Sequence, residues 1–290
     1  MAGYTDALTL ALSPDRTGPL DRDDVIAFDD DGYVIVRGLI PQVEVDALVG
    51  DFMAIADAGP VPGHFEPKGR LSTNPGQTDG GAADPLRTYP RIMQPHLIHQ
   101  QSMDYLLDVR ITDIVAQLLG EEPLACQTML YFKPPGARGQ SLHQDNFYLK
   151  VEPGTCIAAW LALDVVDREN GGLEVVPGTH RMGIFCPEEA DSSVSFTREH
   201  VPPPAGLSPV PADMQPGDVL FFNGSVVHGS GPNASTDRFR RSFISHYAPG
   251  STERISNGYP TARMSGERVQ LEPAQGGGPC GTEFDDVTVH

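Results

Sequence analysis

A histidine and an aspartate two positions apart, His143 and Asp145, are the first residues whose types and spacing suggest chemistry. Residues 143–151 have the composition of a β-strand, and on a strand residues i and i+2 point to the same side. The pair would then present an imidazole and a carboxylate together, two of the three ligands in the 2-His-1-carboxylate triad that binds Fe(II). An ordinary histidine–aspartate hydrogen bond explains the same spacing, so the metal hypothesis depends on a third ligand.

Four later histidines could supply that third ligand: His180, His200, His228 and His246. His228 ends an apolar run that begins at Asp218, and a glycine follows it, so a metal or ligand could approach the backbone closely there. His180 lies at a proline–glycine turn, where a loop-stabilising role explains it at least as well. His200 lies in a proline-rich stretch, and His246 could equally be a core histidine. Residue types and spacing leave the choice open.

Three arginines after His228 could bind a carboxylate: Arg238, Arg240 and Arg241. A guanidinium group forms two parallel hydrogen bonds with a carboxylate, which suits the terminal carboxylate of a ligand. The alternative is a solvated strand edge, although these arginines open a predicted strand at residues 239–247. Arg238 and Arg240 share a face by alternation, so periodicity does not separate them.

The segments that would position these residues are mostly short β-type runs. Two helical patterns come first, at residues 41–58 and 103–119, and each ends before a glycine. Seven strand-like runs follow, at residues 126–132, 143–151, 156–166, 173–176, 218–222, 226–228 and 239–247. Turn-forming residues separate them, which predicts a mainly β fold, a sandwich or jelly roll, with helices packed on its outside.

Two long segments lack this periodicity. Residues 60–86 are rich in Gly, Pro, Asn and Asp, and residues 181–214 contain three consecutive prolines. Loops of such length in a compact domain are usually functional. We expect both, together with the tail after Tyr247, to contact the substrate.

The composition narrows the class of protein. The 290 residues include 39 acidic and 20 basic side chains, a formal net charge of -19, which disfavours nucleic acid or an anionic membrane as a partner. No stretch approaches the about 18 apolar residues of a membrane-spanning helix. The four cysteines form no close pair, so we expect free thiols and a soluble, cytoplasmic protein.

Several motifs, taken in order, resemble the phytanoyl-CoA dioxygenase (PhyH-like) family of Fe(II)- and 2-oxoglutarate-dependent oxygenases. The resemblance covers about residues 31–247 and is carried by the runs Leu142-His143-Gln144-Asp145, Val176-Pro177-Gly178-Thr179-His180 and His228-Gly229-Ser230-Gly231. It implies a double-stranded β-helix, that is, a cupin-like jelly roll. It also implies Fe(II) as the metal, 2-oxoglutarate as the co-substrate and O2 as the oxidant.

Matched position by position, the resemblance assigns the metal ligands and the co-substrate anchor. It implies that His143, Asp145 and His228 bind the iron. It further implies that Arg240, and not Arg238, binds the distal carboxylate of 2-oxoglutarate.

The same matching implies a set of pocket residues. Ser230, Trp160 and Met129 correspond to positions that line the co-substrate pocket. Arg91 corresponds to a basic residue of that pocket, in a segment that aligns loosely. His180 corresponds to a turn residue that shapes the fold and does not bind the metal.

We therefore expect one oxygenase domain over residues 1–290, with a helical N-terminal part (1–120), a jelly-roll core (121–250) and a C-terminal tail (251–290). The expected reaction is oxidation, most simply hydroxylation, of a C–H bond in a small organic molecule such as a secondary metabolite, with release of succinate and CO2. Two alternatives stay open: an acyl-CoA 2-hydroxylase of the phytanoyl-CoA type, and a catalytically silent, cupin-like binding protein. The sequence specifies neither the substrate nor the oligomeric state.

Overall fold

Helices precede the β-rich part of the chain, as the sequence patterns predict. The fold comes from a computed structural model that describes residues 18–65 and 91–274, so most of the predicted loop 60–86 lies outside the described residues. The helices are α1 (Arg22–Asp31), α2 (Gln42–Ala58), α3 (Gln100–Leu106), α4 (Val109–Leu119) and, inside the β-rich part, α5 (Asp145–Leu149).

Capping residues explain where these helices begin and end. The Asp21 side chain accepts hydrogen bonds from the backbone N–H groups of Asp23 and Asp24, which begins α1. Asp108 caps α4 in the same way. A glycine in the left-handed region ends both helices, Gly32 after α1 and Gly120 after α4.

Most of the strands belong to two sheets. The larger sheet contains β1 (Tyr33–Val36), β2 (Arg91–Met93), β3 (Pro123–Tyr131), β5 (Ile157–Ala162), β10 (Val219–Asn223), β12 (Ser242–Pro249), β14 (Thr261–Arg263) and β15 (Arg268–Val269). Its order is β1-β10-β5-β12-β3-β14-β15, and β2 also pairs with β3.

The smaller sheet contains β4 (Gln140–His143), β6 (Leu173–Val176), β9 (Val210–Pro211) and β11 (Val227–Ser230), in the order β4-β11-β6-β9. Four two-residue strands form separate pairs, β7 (Glu188–Glu189) with β8 (Glu199–His200) and β13 (Arg254–Ile255) with β16 (Glu272–Pro273). The predicted jelly roll with flanking helices is confirmed.

The two faces of the larger sheet bury different cores, because side chains alternate along each strand. Phe243 of β12 faces the helices, where its ring stacks on Phe52 of α2 with centroids 5.7 Å apart. The next residue, Ile244, faces the interior of the jelly roll with Met129 and Trp160. The helices therefore cover the outer face, and the inner face is left to line a cavity.

Three expectations about local structure need correction. Residues 143–151 do not form a strand, because the chain leaves β4 at His143 and enters α5. Residues 181–214 are not simply a loop, since they include β7, β8 and β9. Part of the expected C-terminal tail forms strands, and one of them, β14, extends the larger sheet by pairing with β3. Strands of two or three residues carry too little periodicity to be read from the sequence.

The cysteines also depart from expectation. Cys126 and Cys156 are free and buried, whereas Cys186 is disulfide-bonded, so the expectation of free thiols is wrong at Cys186. Sequence spacing does not reveal a disulfide bond, because the bond requires the Cα atoms of its two cysteines to lie about 4.4–6.8 Å apart in the fold. No helix in residues 18–65 and 91–274 has the length and apolar character needed to cross a bilayer.

Packing between α2 and the larger sheet should dominate the stability of the outer core. Phe52 is fully buried, so Phe52→Ala should lower the free energy of unfolding by about 3–5 kcal/mol. Val43 lies on the same helix and is 74% exposed, so Val43→Ala should change it by less than about 0.5 kcal/mol. Urea denaturation with linear extrapolation measures both values. Similar losses for the two variants would contradict this packing.

Candidate active site

His143 and His228 face each other across the smaller sheet. His143 is the last residue of β4, His228 lies in β11, and the two are direct partners in the antiparallel register. Both are buried, and their ring centroids lie 4.2 Å apart. Two residues that are 85 positions apart in sequence are thereby held side by side by backbone hydrogen bonds.

A register irregularity shapes the site beside this pair. His228 pairs with His143 but Ser230 pairs with Gln140, so β4 carries one extra residue between the two pairs. The extra residue brings Gln140 to the same side as His143, where its amide nitrogen lies 3.0 Å from His143 Nε2. Position 229, opposite this bulge, requires glycine, because a Cβ there would lie only 2.8 Å from the Gln140 carbonyl oxygen.

Backbone carbonyl groups fix how both imidazoles are oriented. Nδ1 of His143 donates to the carbonyl of Ser141 at 2.8 Å, and Nδ1 of His228 donates to the carbonyl of Val226 at 3.1 Å. In a neutral imidazole the other nitrogen then carries the lone pair. Burial lowers the pKa of His228 to about 4, so its Nε2 is unprotonated at neutral pH.

Asp145 joins this pair from the start of α5. Gln144 is extended (φ -126°, ψ 125°), so His143 and Asp145 still share a side although the strand ends between them. Oδ1 of Asp145 lies 3.4 Å from Nε2 of His143 and 3.5 Å from Nε2 of His228. The side-chain pair predicted from the sequence therefore forms, but at a strand-to-helix junction.

His246 holds the second oxygen of that carboxylate. It lies on β12 in the larger sheet, and its Nε2 donates to Asp145 Oδ2 at 2.9 Å. Burial opposes ionisation of Asp145, but the surrounding imidazoles outweigh it and hold the pKa of the carboxyl well below its usual range. His246 is therefore neither the third ligand nor an inert core residue.

The ligand atoms of His143, Asp145 and His228 have the composition and spacing of a metal site. One atom from each lies within 4.8 Å of the other two, and all three residues are buried. Metal–nitrogen and metal–oxygen bonds of about 2.0–2.2 Å would bring such atoms to within about 3 Å of one another. Two imidazoles and one carboxylate on one side of a cavity match the facial triad of non-haem Fe(II) enzymes, so the residues fit this ion.

The three residues lie in the wall of a cavity inside the jelly roll. Its other lining side chains include four residues that the sequence predicted for the co-substrate pocket: Arg240, Ser230, Trp160 and Met129. Arg240 is 3% exposed, and its guanidinium carbon lies 5.2 Å from the centre of the Trp160 ring. Burial lowers the pKa of Arg240 to about 10, which leaves the guanidinium charged at neutral pH.

The neighbouring arginines are engaged elsewhere. Arg238 forms ion pairs with Asp167 at 2.7 Å and Glu169 at 2.6 Å in a partly exposed position. Arg241 pairs with Asp164 at 2.6 Å. Among the three candidates, Arg240 is the one that lines the cavity, which is the choice that the family resemblance implied.

Arg91 lies one layer behind the cavity wall. Its Nη1 donates to the Tyr131 hydroxyl at 2.7 Å, and its guanidinium carbon lies 5.3 Å from that ring. Tyr131 lines the cavity, whereas Arg91 is not among the described lining residues. The remaining candidate histidines lie away from the site: His180 donates to the carbonyl of Asp29 at 3.1 Å, and His200 belongs to β8.

Sequence reasoning missed several residues of the site. Lys133, Tyr131, Gln140 and Arg138 line the cavity, and Phe196 joins them from the segment that was predicted to be an inserted loop. Lys133 was not among the predicted site residues, because a lysine is ordinarily solvent-exposed. The irregularity in β4 that turns Gln140 inward leaves no periodic signal.

Comparisons with known proteins agree with this geometry. The family model described as "Phytanoyl-CoA dioxygenase (PhyH)" matches residues 28–242. A probable phytanoyl-CoA dioxygenase of Caenorhabditis elegans is 28% identical over 245 residues, covering 76% of this chain and 73% of that protein. The peroxisomal phytanoyl-CoA dioxygenase of Rattus norvegicus is 26% identical, covering 90% and 78%.

Solved structures share the fold. EctD from S. alaskensis, crystallised with 2-oxoglutarate and 5-hydroxyectoine, is 21% identical with a TM-score of 0.65, covering 92% of this chain and 89% of that chain. The non-heme alpha ketoglutarate dependent carbocyclase SnoK from nogalamycin biosynthesis is 20% identical with a TM-score of 0.61, covering 82% and 88%. With a family match that spans most of the sequence, the chain belongs to the phytanoyl-CoA dioxygenase family of Fe(II)- and 2-oxoglutarate-dependent oxygenases.

Proposed function

We propose that this protein hydroxylates a C–H bond of a small organic molecule, using Fe(II), 2-oxoglutarate and O2 and releasing succinate and CO2. The observation that carries the proposal is one cavity lined both by the His143, Asp145 and His228 cluster and by the buried guanidinium of Arg240. Bound Fe(II) would supply the oxidative chemistry, which side chains alone do not provide. The family membership supports the same reaction class.

The protein's own residues would fix the geometry of this site. Hydrogen bonds from Nδ1 orient His143 and His228, and the bond from His246 orients Asp145. Such outer contacts set the direction of a metal ligand. Arg240 would neutralise and orient the distal carboxylate of 2-oxoglutarate. Tyr131, with Arg91 behind it, would complete the wall on that side.

The substrate should be a small molecule that fits this cavity, whose wall is in large part apolar. Met129, Trp160, Leu173, Phe196 and Ile244 contribute apolar surface to the cavity, which would exclude water from the reacting groups. The EctD structure contains 5-hydroxyectoine, a small organic molecule. The acyl-CoA alternative gains no support from a net charge of -19, because CoA is polyanionic.

The cytoplasmic location, the absence of nucleic-acid or membrane partners and the single-domain organisation stay predictions.

Co-substrate turnover tests the proposed reaction without the substrate being known. The protein with Fe(II), 2-oxoglutarate and ¹⁸O₂ should slowly form succinate, and mass spectrometry should find one ¹⁸O atom in it. The reason is that one oxygen atom of O2 enters the carboxylate formed by decarboxylation. A protein that binds Fe(II) and 2-oxoglutarate but forms no succinate would favour the silent binding protein instead.

Metal binding tests the three ligands. Anaerobic titration of the apoprotein should reveal one Fe(II) site, and His228→Ala should weaken it by more than about 100-fold, since changes to outer contacts alone cost about 10–100-fold. His180→Ala is the matched control, because the side-chain hydrogen bond described for His180 goes to the Asp29 carbonyl and His180 is not among the described residues that line the cavity. Equal affinities of the His228→Ala and wild-type proteins would refute the assignment. Zn(II) or Ni(II) in purified protein is also expected, since both bind such donors more tightly than Fe(II).

Co-substrate binding tests Arg240. Arg240→Ala should weaken the binding of 2-oxoglutarate to the metal-loaded protein by about 2–5 kcal/mol, at least about 30-fold, because the distal carboxylate loses a buried charged partner. Calorimetry under nitrogen measures this affinity. Arg238→Ala removes two partly exposed ion pairs outside the cavity and should have little effect. A larger loss for Arg238→Ala would reverse the assignment.

A further inference from the structure

Lys133 is a buried lysine whose ammonium group is fully engaged by the protein. It follows β3, is 4% exposed, and has a backbone φ of 36°, which is uncommon for a residue other than glycine. Its Nζ donates to the carbonyls of Gly171 and Gly231 at 2.8 and 2.6 Å and to the Ser230 hydroxyl at 2.9 Å. An ammonium has three hydrogens, so these three acceptors use all of them. Lys133 therefore has no donor left for a ligand.

The contact with Ser230 determines what that hydroxyl can do. Ser230 Oγ accepts from Lys133 Nζ and, at 3.4 Å, from the backbone N–H of Gln140. A hydroxyl oxygen accepts two hydrogen bonds, so both acceptor positions are filled and the Ser230 O–H is directed elsewhere. Ser230 lines the cavity, and in the described residues it donates no hydrogen bond to the protein. A ligand in the cavity is the acceptor within its reach.

The same anchor point places a second cation beside Lys133. Nε of Arg240 donates to the Gly171 carbonyl at 3.2 Å, the oxygen that also accepts from Lys133. Burial, and after it the charge of Arg240, hold the pKa of Lys133 well below its usual range, whereas the three oxygen acceptors around Nζ favour the ammonium form. Two cations that share one buried carbonyl repel each other, and an anion beside them relieves that repulsion. The Ser230 hydroxyl and the Arg240 guanidinium can therefore bind the same carboxylate.

We propose that Lys133 is a positioning residue for 2-oxoglutarate, which directs the Ser230 hydroxyl toward the distal carboxylate that Arg240 binds. This inference rests on the proposed function, because it requires 2-oxoglutarate in this cavity. A purely structural role for Lys133, tying Gly171 to Gly231, makes a different prediction. Loss of a structural tie would weaken every ligand of the site alike, whereas loss of a positioned hydroxyl would weaken only ligands that carry the distal carboxylate.

The test compares two ligands on the Mn(II)-loaded protein, by calorimetry. The first is 2-oxoglutarate and the second is 2-oxopentanoate, which has the same chain without the distal carboxylate. Lys133→Met keeps the apolar stem and removes the donors, and it should weaken 2-oxoglutarate binding by about 10-fold, the effect of one lost hydrogen bond to a charged group. Binding of 2-oxopentanoate and of Mn(II) should stay unchanged. Lys150→Met is the matched control, a lysine that also has a positive φ (49°) and is not among the described residues that line the cavity.

A double-mutant cycle with Ser230→Ala completes the design. Ser230→Ala should lose the preference for 2-oxoglutarate as Lys133→Met does. The double variant should bind 2-oxoglutarate with about the same affinity as the weaker-binding of the two single variants. Additive losses, or equal losses for both ligands, would overturn the proposal. If Lys133→Met does not fold, Lys133→Gln replaces it, because glutamine retains an amide donor. Lys133→Gln should cause a smaller loss of affinity, confined to 2-oxoglutarate. A loss of affinity shared by both ligands would again overturn the proposal. A wild-type protein that binds neither ligand would instead refute the proposed function.

Discussion

Two imidazoles and one carboxylate converge inside the jelly roll, where the Nε2 atoms of His143 and His228 lie 3.4 and 3.5 Å from Asp145 Oδ1. Buried polar atoms lower the stability of the fold unless hydrogen bonds, a proton or a cation compensate them. The protein maintains this arrangement with rigid supports. The two imidazoles are held by carbonyls of their own chain segments, and the carboxylate is held by His246 from the opposite sheet. The two sheets must therefore keep a fixed spacing for the cluster to exist.

The sequence contained enough to predict that His143 and Asp145 lie together, although for a reason that was only partly right. Alternation along a strand was expected to place His143 and Asp145 together, and the chain instead turns into α5 at Asp145. The prediction survived because one extended residue, Gln144, is sufficient to put its two neighbours on the same side. The periodicity of the strand could not decide between Arg238 and Arg240. It depends on Asp167, a residue 71 positions away that pairs with Arg238.

The residues that sequence reasoning missed share a physical cause. Lys133 is buried because carbonyls 38 and 98 positions away accept its hydrogens, and no local pattern reports such contacts. Gln140 points inward because of a bulge, which breaks the alternation that sequence reading relies on. Phe196 reaches the cavity from a segment whose strands are two residues long. Local signals thus predicted the layers of the fold, while the details of the cavity depend on long-range contacts.

The N-terminal strand β1 covers one edge of the larger sheet. Its residues Tyr33–Val36 pair one for one with β10, which would otherwise be the edge strand on that side of the larger sheet. An uncovered strand edge offers unpaired N–H and C=O groups to another chain and is a common starting point for aggregation. β1 is only four residues long and follows directly on α1, so it makes a poor template itself. Fraying of this short segment would therefore expose the edge of β10 and lower the protein's colloidal stability.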